Sequence, residues 1–350
     1  MQEFHIIRIL LLSAFAFLFA MAWTPILTHY LYKYKMGKSI RNNGLTPIFS
    51  KLHAGKAGTP VMGGLLVWVT ALIFTLLFFY LSEYLPWGIF KQLNFLSRSQ
   101  TVLPIGVLVA TAVVGLLDDW LDVRGKGVFG GGGLKIRHRL LVYTLIAVIG
   151  ALWFYFKLDW DTIHLPFLGN FQVGWWYIPI FIFVIVATAH SVNLTDGLDG
   201  LAGGVLLISY SAYGVIAFAL EKYDLATFCG VIVGALLAFL WFNINPARFF
   251  MGDTGSMSLG ITLGVIAMLT NSALILPVIG FVFLAETCSV IIQLTSKKLR
   301  RGKKVFISSP LHHHLEAIGW PEPKIVMRFW VIAGVTATIG LVIFLLDKTI

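Results

Sequence analysis

The sequence predicts an all-α, polytopic membrane protein of about ten transmembrane helices, folded as one domain over residues 1–350. Three observations carry that prediction. The chain is 58% hydrophobic and only 12% charged, with a mean hydropathy of +0.86, far from the balance of a soluble domain. Its apolar residues fall into runs that meet or approach the ~20 helical residues needed to cross a hydrocarbon core. Its Lys and Arg residues collect in alternate connections between those runs, as topology signals do. The net charge of +10 therefore sets the topology, and nucleic acid is excluded as a partner. Cys229 and Cys288 both lie in apolar runs, so no disulfide framework is implied.

In chain order, the runs cover about 6–30, 61–82, 102–118, 139–156, 174–191, 200–219, 226–242, 255–271, 273–295 and 326–346. The first could be read as a signal peptide, because Ala20-Met21-Ala22 resembles a cleavage site. Only Arg8 precedes its apolar stretch, however, while Lys33, Lys35, Lys38 and Arg41 follow it. That asymmetry places its C-terminal end in the cytoplasm, opposite to a signal peptide, and the run reads as a retained first helix. Basic residues then recur in alternate connections. Lys51 and Lys56 lie before the second run, and Arg124, Lys126, Lys135, Arg137 and Arg139 follow the third. Arg248 follows the seventh, and Lys297 to Lys304, Lys324 and Arg328 precede the last. The intervening connections are poorer in base and hold Glu83, Asp159, Asp161, Glu221 and Asp224. The expectation is five cytoplasmic connections with both termini outside.

Every unusual polar stretch then falls on the cytoplasmic side. The run from Val102 ends in Asp118-Asp119, two carboxylates that repel unless a cation lies between them. One such pair would do no more than end a helix in water. It is joined by Lys56-Ala57-Gly58-Thr59-Pro60, by Asn193 to Gly200 with Asp196 and Asp199, by Phe250 to Ser256 with Asp253, and by Pro310 to Glu316. Loops gathered at one face of a rigid bundle make a site.

Five carboxylates at one face suit Mg²⁺, a hard cation that takes carboxylates, waters and substrate phosphates. Asp196 and Asp199 beside glycines also suit turns. Asp253 fits a helix N-cap, and a helix starting there would favour a bound phosphate. The run His312-His313-His314 is a weak metal motif, since zinc sites use spaced ligands, and its plain alternative is an exposed polar loop. Beside Lys and Arg it suits a phosphate or sugar contact better. Lys51, Lys56 and Arg139 are candidate partners for a diphosphate. Gly125 to Gly130 spells GxGxxG but follows a membrane helix, and Gly37-Lys38-Ser39 lacks the first glycine of a P-loop, so both are discounted. Gly130–Gly133 reads as a hinge. Glu286, inside the ninth run, is either functional or paired internally.

With these motifs in hand, the chain resembles the phospho-N-acetylmuramoyl-pentapeptide transferases, a branch of the polyprenyl-phosphate N-acetylhexosamine-1-phosphate transferases. The resemblance runs from about Gly37 to Arg328. Lys56 to Gly64, Asp118-Asp119, Asn193 to Gly200, Asn243 with Met251 to Ser256, and Pro310 to Glu316 carry it in family order. It implies transfer of phospho-MurNAc-pentapeptide from UDP-MurNAc-pentapeptide to undecaprenyl phosphate, giving lipid I and UMP. The setting would be peptidoglycan synthesis in the bacterial inner membrane, with Mg²⁺ as cofactor and a homodimer as the assembly. By the same resemblance Asp118, Asp119 and Asp253 are catalytic, Asp118 as the base and Asp253 as the magnesium ligand. Lys56, Asn193, Asp196, Gly197, Asp199, Asn243, Phe250, Gln293, His312, His313 and His314 bind the nucleotide sugar.

This sequence departs from the family pattern at Asp122 and Arg139, where a Lys is usual, and at Val61, where a Thr is usual. The glycines at 130–133 could move Lys135 into the place that Asp122 vacates. Two rival functions fit parts of the pattern. One is transfer of GlcNAc-1-phosphate by a related enzyme. The other is ion-coupled transport along Glu286 and the acidic loops, which expects charges near the bilayer midplane.

Overall fold

The computed structural model describes residues 2–37, 53–125 and 136–349. Lys51, Lys135, the glycines at 130–133 and most of the two discounted glycine patterns lie outside them. In chain order the helices are α1 (Gln2–Lys33), α2 (Leu65–Tyr84), α3 (Gly88–Leu93), α4 (Val102–Val123), α5 (Ile136–Leu152), α6 (Tyr177–Thr195) and α7 (Leu201–Ala219). They continue with α8 (Tyr223–Asn243), α9 (Asp253–Leu269), α10 (Leu276–Ile279), α11 (Phe281–Leu299), α12 (Leu311–Ala317) and α13 (Glu322–Thr349). Within a bilayer each backbone N–H and C=O needs an internal partner, so long apolar runs become helices. Among the described residues, eight helices are long and apolar enough to span, and α9 is a shorter apolar one. The protein is a multi-pass membrane protein.

Some details differ from the sequence reading. The run at 273–295 is broken at Gly280 into α10 and α11. A short antiparallel hairpin, β1 (Thr162–Leu165) with β2 (Gly169–Gln172), lies in the connection before α6.

The arrangement centres on α9, which is buried from Thr254 to Leu269 between α4 and α6. Its small residues make that possible. A Cβ on Gly115 of α4 would lie 2.5 Å from the Asp253 carbonyl oxygen, and one on Gly260 would lie 2.9 Å from Ala189 Cα of α6. Small residues let membrane helices approach this closely. Ser258 and Thr262 return their hydroxyls to carbonyls one turn back, which satisfies them without water. α8 lies between α1 and α7, and α13 packs on α7. Lipid-facing side chains such as Leu10, Phe183, Trp241 and Val331 are exposed, as apolar residues in hydrocarbon should be.

Polar contacts gather at the two ends of the bundle. At one end Arg8 pairs with Asp224 at 2.9 Å and His164 with Asp347 at 2.5 Å. At the other, the chain after α1 and the turns before α2 and α9 are laced by backbone bonds. Gly37 bridges Pro60, Phe250 N–H donates to Pro60, and Gly63 and Gly64 donate to Phe250 and Met251. All five polar stretches singled out in the sequence have described residues at this second end.

Candidate active site

The acidic cluster is built by three helices. Asp118 and Asp119 are both buried near the end of α4. Neighbouring side chains on a helix diverge by about 100°, and these two part accordingly. Asp119 Oδ1 and Oδ2 each accept a backbone N–H, from Asp253 and Thr254, both at 3.0 Å. Those are two of the donors that the start of α9 leaves without helical partners. Asp118 turns to Arg139 of α5, with Oδ2 3.3 Å from Nη1. The same Nη1 is bonded to Asp253 Oδ2, so one guanidinium bridges two carboxylates. Asn193 Nδ2 of α6 donates to Asp253 Oδ1 at 2.7 Å and to Ser256 Oγ at 2.9 Å.

This corrects the N-cap expectation for Asp253. The N-cap is Gly252, and Asp253 is the first helical residue. Gly252 has a φ of +73°, and a Cβ on it would lie 2.5 Å from Asp119 Oδ2. The glycine therefore admits a carboxylate from another helix, and Asp119 caps α9 in trans. The Asp119 carboxylate is thus one anion held at this helix start.

A second cluster surrounds Lys56. Its Nζ lies 2.6 Å from both Asp199 Oδ1 and Glu322 Oε1, and 5.9 Å from the Phe250 ring centroid. Asn245 Nδ2 reaches Asp199 Oδ2 at 3.0 Å and Glu322 Oε2 at 3.3 Å. Asn243 receives Gly200 N–H on its Oδ1 and donates Nδ2 to the Phe249 carbonyl. It fixes the turn at the α7 start to the turn before α9.

The third cluster corrects the loop expectation for the histidines. Pro310 to Glu316 is mostly the short helix α12, so His312, His313 and His314 point in different directions. His312 is fully buried, with Nδ1 3.1 Å from Glu286 Oε2 and its backbone N–H on Glu286 Oε1. Glu286 thus pairs internally. Gly197 packs on the His312 ring, where a Cβ would come within 2.2 Å of Nε2. His313 Nδ1 is 2.7 Å from Glu316 Oε2, and His53 Nε2 is 3.2 Å from the same oxygen. Burial holds His313 down at about 4, with the Glu316 hydrogen bond opposing. Burial alone would raise Glu316, but hydrogen bonds from His313 and His53 bring it down to about 2. His314 Nδ1 accepts the Ile307 N–H at 3.2 Å. Gln293 holds the backbone of Val305 and Phe306 through both ends of its amide.

The structure brings Asp118, Asp119, Asp253 and Asn193 together, and Lys56, Asp199 and Phe250 beside them. Asp196, half-buried at the end of α6, hydrogen-bonds through its backbone N–H to the Asn193 carbonyl. Sequence reading missed His53, Asn245 and Glu322, and named Glu316 only as the end of its motif. Glu322 carried one signal: an acid after Pro321 at the start of an apolar run, a helix first turn.

Fold and site define a class, a multi-pass membrane protein with a buried acidic cluster at one end of its bundle, and the Glycosyl transferase family 4 model matches residues 101–271. Over 346 residues the chain is 38% identical to a phospho-N-acetylmuramoyl-pentapeptide-transferase of Chloroflexus aggregans, covering 95% of this chain and 89% of that protein. It is 39% identical over 337 residues to the enzyme of that name from Geobacillus thermodenitrificans, covering 96% and 97%. With that of Listeria monocytogenes it shares 37% over 331 residues, 93% and 95%. The chain belongs to the phospho-N-acetylmuramoyl-pentapeptide-transferase family.

Proposed function

We propose that this protein transfers phospho-MurNAc-pentapeptide from UDP-MurNAc-pentapeptide to undecaprenyl phosphate, releasing UMP and forming lipid I. The reaction takes place at the cytoplasmic face of the bacterial inner membrane, in a homodimer. The observation that supports it best is the Arg139 guanidinium bridging Asp118 and Asp253 beside the start of α9. Both substrates are anionic, and preorganised charge is the largest catalytic lever for such a reaction. Asp118, buried at the end of a spanning helix, is the base for a lipid phosphate arriving at the membrane surface. Asp119 holds the start of α9 in place and so positions Asp253. Lys56, Phe250, Asn193 and His313 form the nucleotide-sugar side.

The donors at the acidic cluster suit Mg²⁺. Asp118 and Asp253 are oxygen ligands that already share one cation, the Arg139 side chain. Asp253, with Asp118 beside it, would hold the ion. Bound there, it would neutralise the diphosphate and stabilise the departing UMP. The transporter reading is not favoured, because Glu286 is closed off by His312.

The test is UMP release by purified protein, with and without polyprenyl phosphate, comparing UDP-MurNAc-pentapeptide with UDP-GlcNAc. The expected preference for the former is at least roughly a hundredfold in kcat/KM, about 3 kcal/mol. Equal kcat/KM for the two sugars would leave only the wider family.

A further inference from the structure

We infer that His53, His313 and Glu316 form a second metal site, for a Zn²⁺-class ion, that clamps α12 to the segment before Lys56. The two imidazole nitrogens converge on one oxygen, Glu316 Oε2, at 3.2 and 2.7 Å. The three ligand atoms all lie within 4.8 Å of one another. In a tetrahedral zinc site with bonds of about 2.0–2.1 Å, ligand atoms are about 3.3 Å apart. The two nitrogen–oxygen distances are within about 0.6 Å of that spacing, and the two nitrogens, within 4.8 Å of each other, close on the ion as it binds.

The three ligands come from two elements far apart in sequence, and they are held. The His53 and Glu316 side chains are only 4% and 7% exposed. Two imidazoles and a carboxylate are the ligand set of many zinc centres. Nitrogen ligands also separate this site from the oxygen-only acidic cluster, so the two would take different metals. Each neutral imidazole binds through the nitrogen now facing Glu316 and carries its proton on the other ring nitrogen. If His313 contacts the nucleotide sugar, which rests on the function proposed above, the ion fixes that ring and slows turnover.

Co²⁺ serves as the probe, because nitrogen-ligated Co²⁺ of low coordination number has visible bands. Titration of the full, metal-free chain is expected to show one equivalent bound, displaced by Zn²⁺. His53→Ala and Glu316→Gln should each weaken binding at least tenfold, while Asp253→Asn and His314→Ala leave the bands in place. Size-exclusion profiles and thermal unfolding identify any variant that fails to fold, and His53→Gln then replaces His53→Ala. Absence of the bands in wild type, or their persistence in both ligand variants, would overturn the site. Zn²⁺ is expected to inhibit wild-type UMP release and to inhibit His53→Ala less. Bands without inhibition would uphold the metal site and remove His313 from the sugar pocket.

Discussion

Replacing Asp119 with Asn tests the cross-helix cap on α9. The wild-type carboxylate accepts two buried N–H groups, from Asp253 and Thr254. A hydrogen bond to a charged group contributes about 1.5–3 kcal/mol, a neutral one about 1. Asn keeps one acceptor and turns its NH₂ towards the other N–H, which leaves a buried donor unsatisfied. The net loss is about 3 kcal/mol, or roughly 4 °C in Tm for a chain of 350 residues. Asp253→Asn should behave differently. Asp253 makes its side-chain contacts to Arg139, Asn193 and Asp118, and Arg139 keeps Asp118 as a partner. Its stability loss should be smaller than that of Asp119→Asn, because relief of the repulsion between Asp118 and Asp253 offsets part of the lost ion pair. Both variants should lose most UMP release, Asp253→Asn through charge and Asp119→Asn through misplacement of α9. Thermal unfolding in detergent, run beside the UMP assay, separates them. An Asp119→Asn protein with the wild-type Tm would refute the cap.

Gly197→Ala should cost about 1–3 kcal/mol and raise KM for the nucleotide sugar, because the added methyl meets the buried His312 ring; a wild-type Tm would contradict that packing. The His313 cluster should make the fold acid-sensitive. His313 is held at about 4 against an ordinary 6.5, so the folded protein binds fewer protons and stability falls as pH drops from 6.5 towards 4. Glu316, held at about 2 against 4.5, adds stability above pH 4.5 that is lost as pH falls towards 2. Tm should therefore decline below pH 6.5, less steeply in His313→Gln, and a Tm rising on acidification would count against both assignments. EDTA should stop UMP release and Mg²⁺ should restore it; unchanged turnover after full chelation would remove the metal. Finally, His313→Cys in a chain lacking Cys229 and Cys288 should resist an impermeant thiol reagent added outside intact cells, and labelling there would invert the topology.

The bundle was legible because apolar runs and basic connections obey bilayer physics directly. The end of the third run was not. The sequence reading stops it at Asp118, since charges end membrane segments, yet α4 continues to Val123. The charges are tolerated because Asp119 meets backbone N–H groups and Asp118 meets Arg139. The acidic motifs were legible as a set, but their division of labour depends on which way each side chain turns. Asp253 looked like a cap because Gly252 and Thr254 flank it; the actual cap stands 134 residues earlier. Glu286 pairs with the His312 backbone N–H, 26 residues on, a contact that local pattern does not show. His53 and Glu316 meet across 263 residues, a separation that local pattern does not encode.

The bond between Lys56 and Glu322 joins residues 266 apart, and it has a consequence for how the protein is made. Chains enter the membrane from their N-terminal end as they are synthesised. The Lys56 segment and the Asp199 turn are therefore in place long before α13 exists. During that interval Lys56 can reach Asp199 but lacks its second acid, and Gly200 lacks the Trp330 indole that donates to its carbonyl at 3.1 Å. A ribosome stalled before Glu322 holds a chain that has Asp118, Asp119 and Asp253 but in which Lys56 has only Asp199 of its two acids. Arrival of the last span supplies Lys56 with Glu322 and Gly200 with the Trp330 indole.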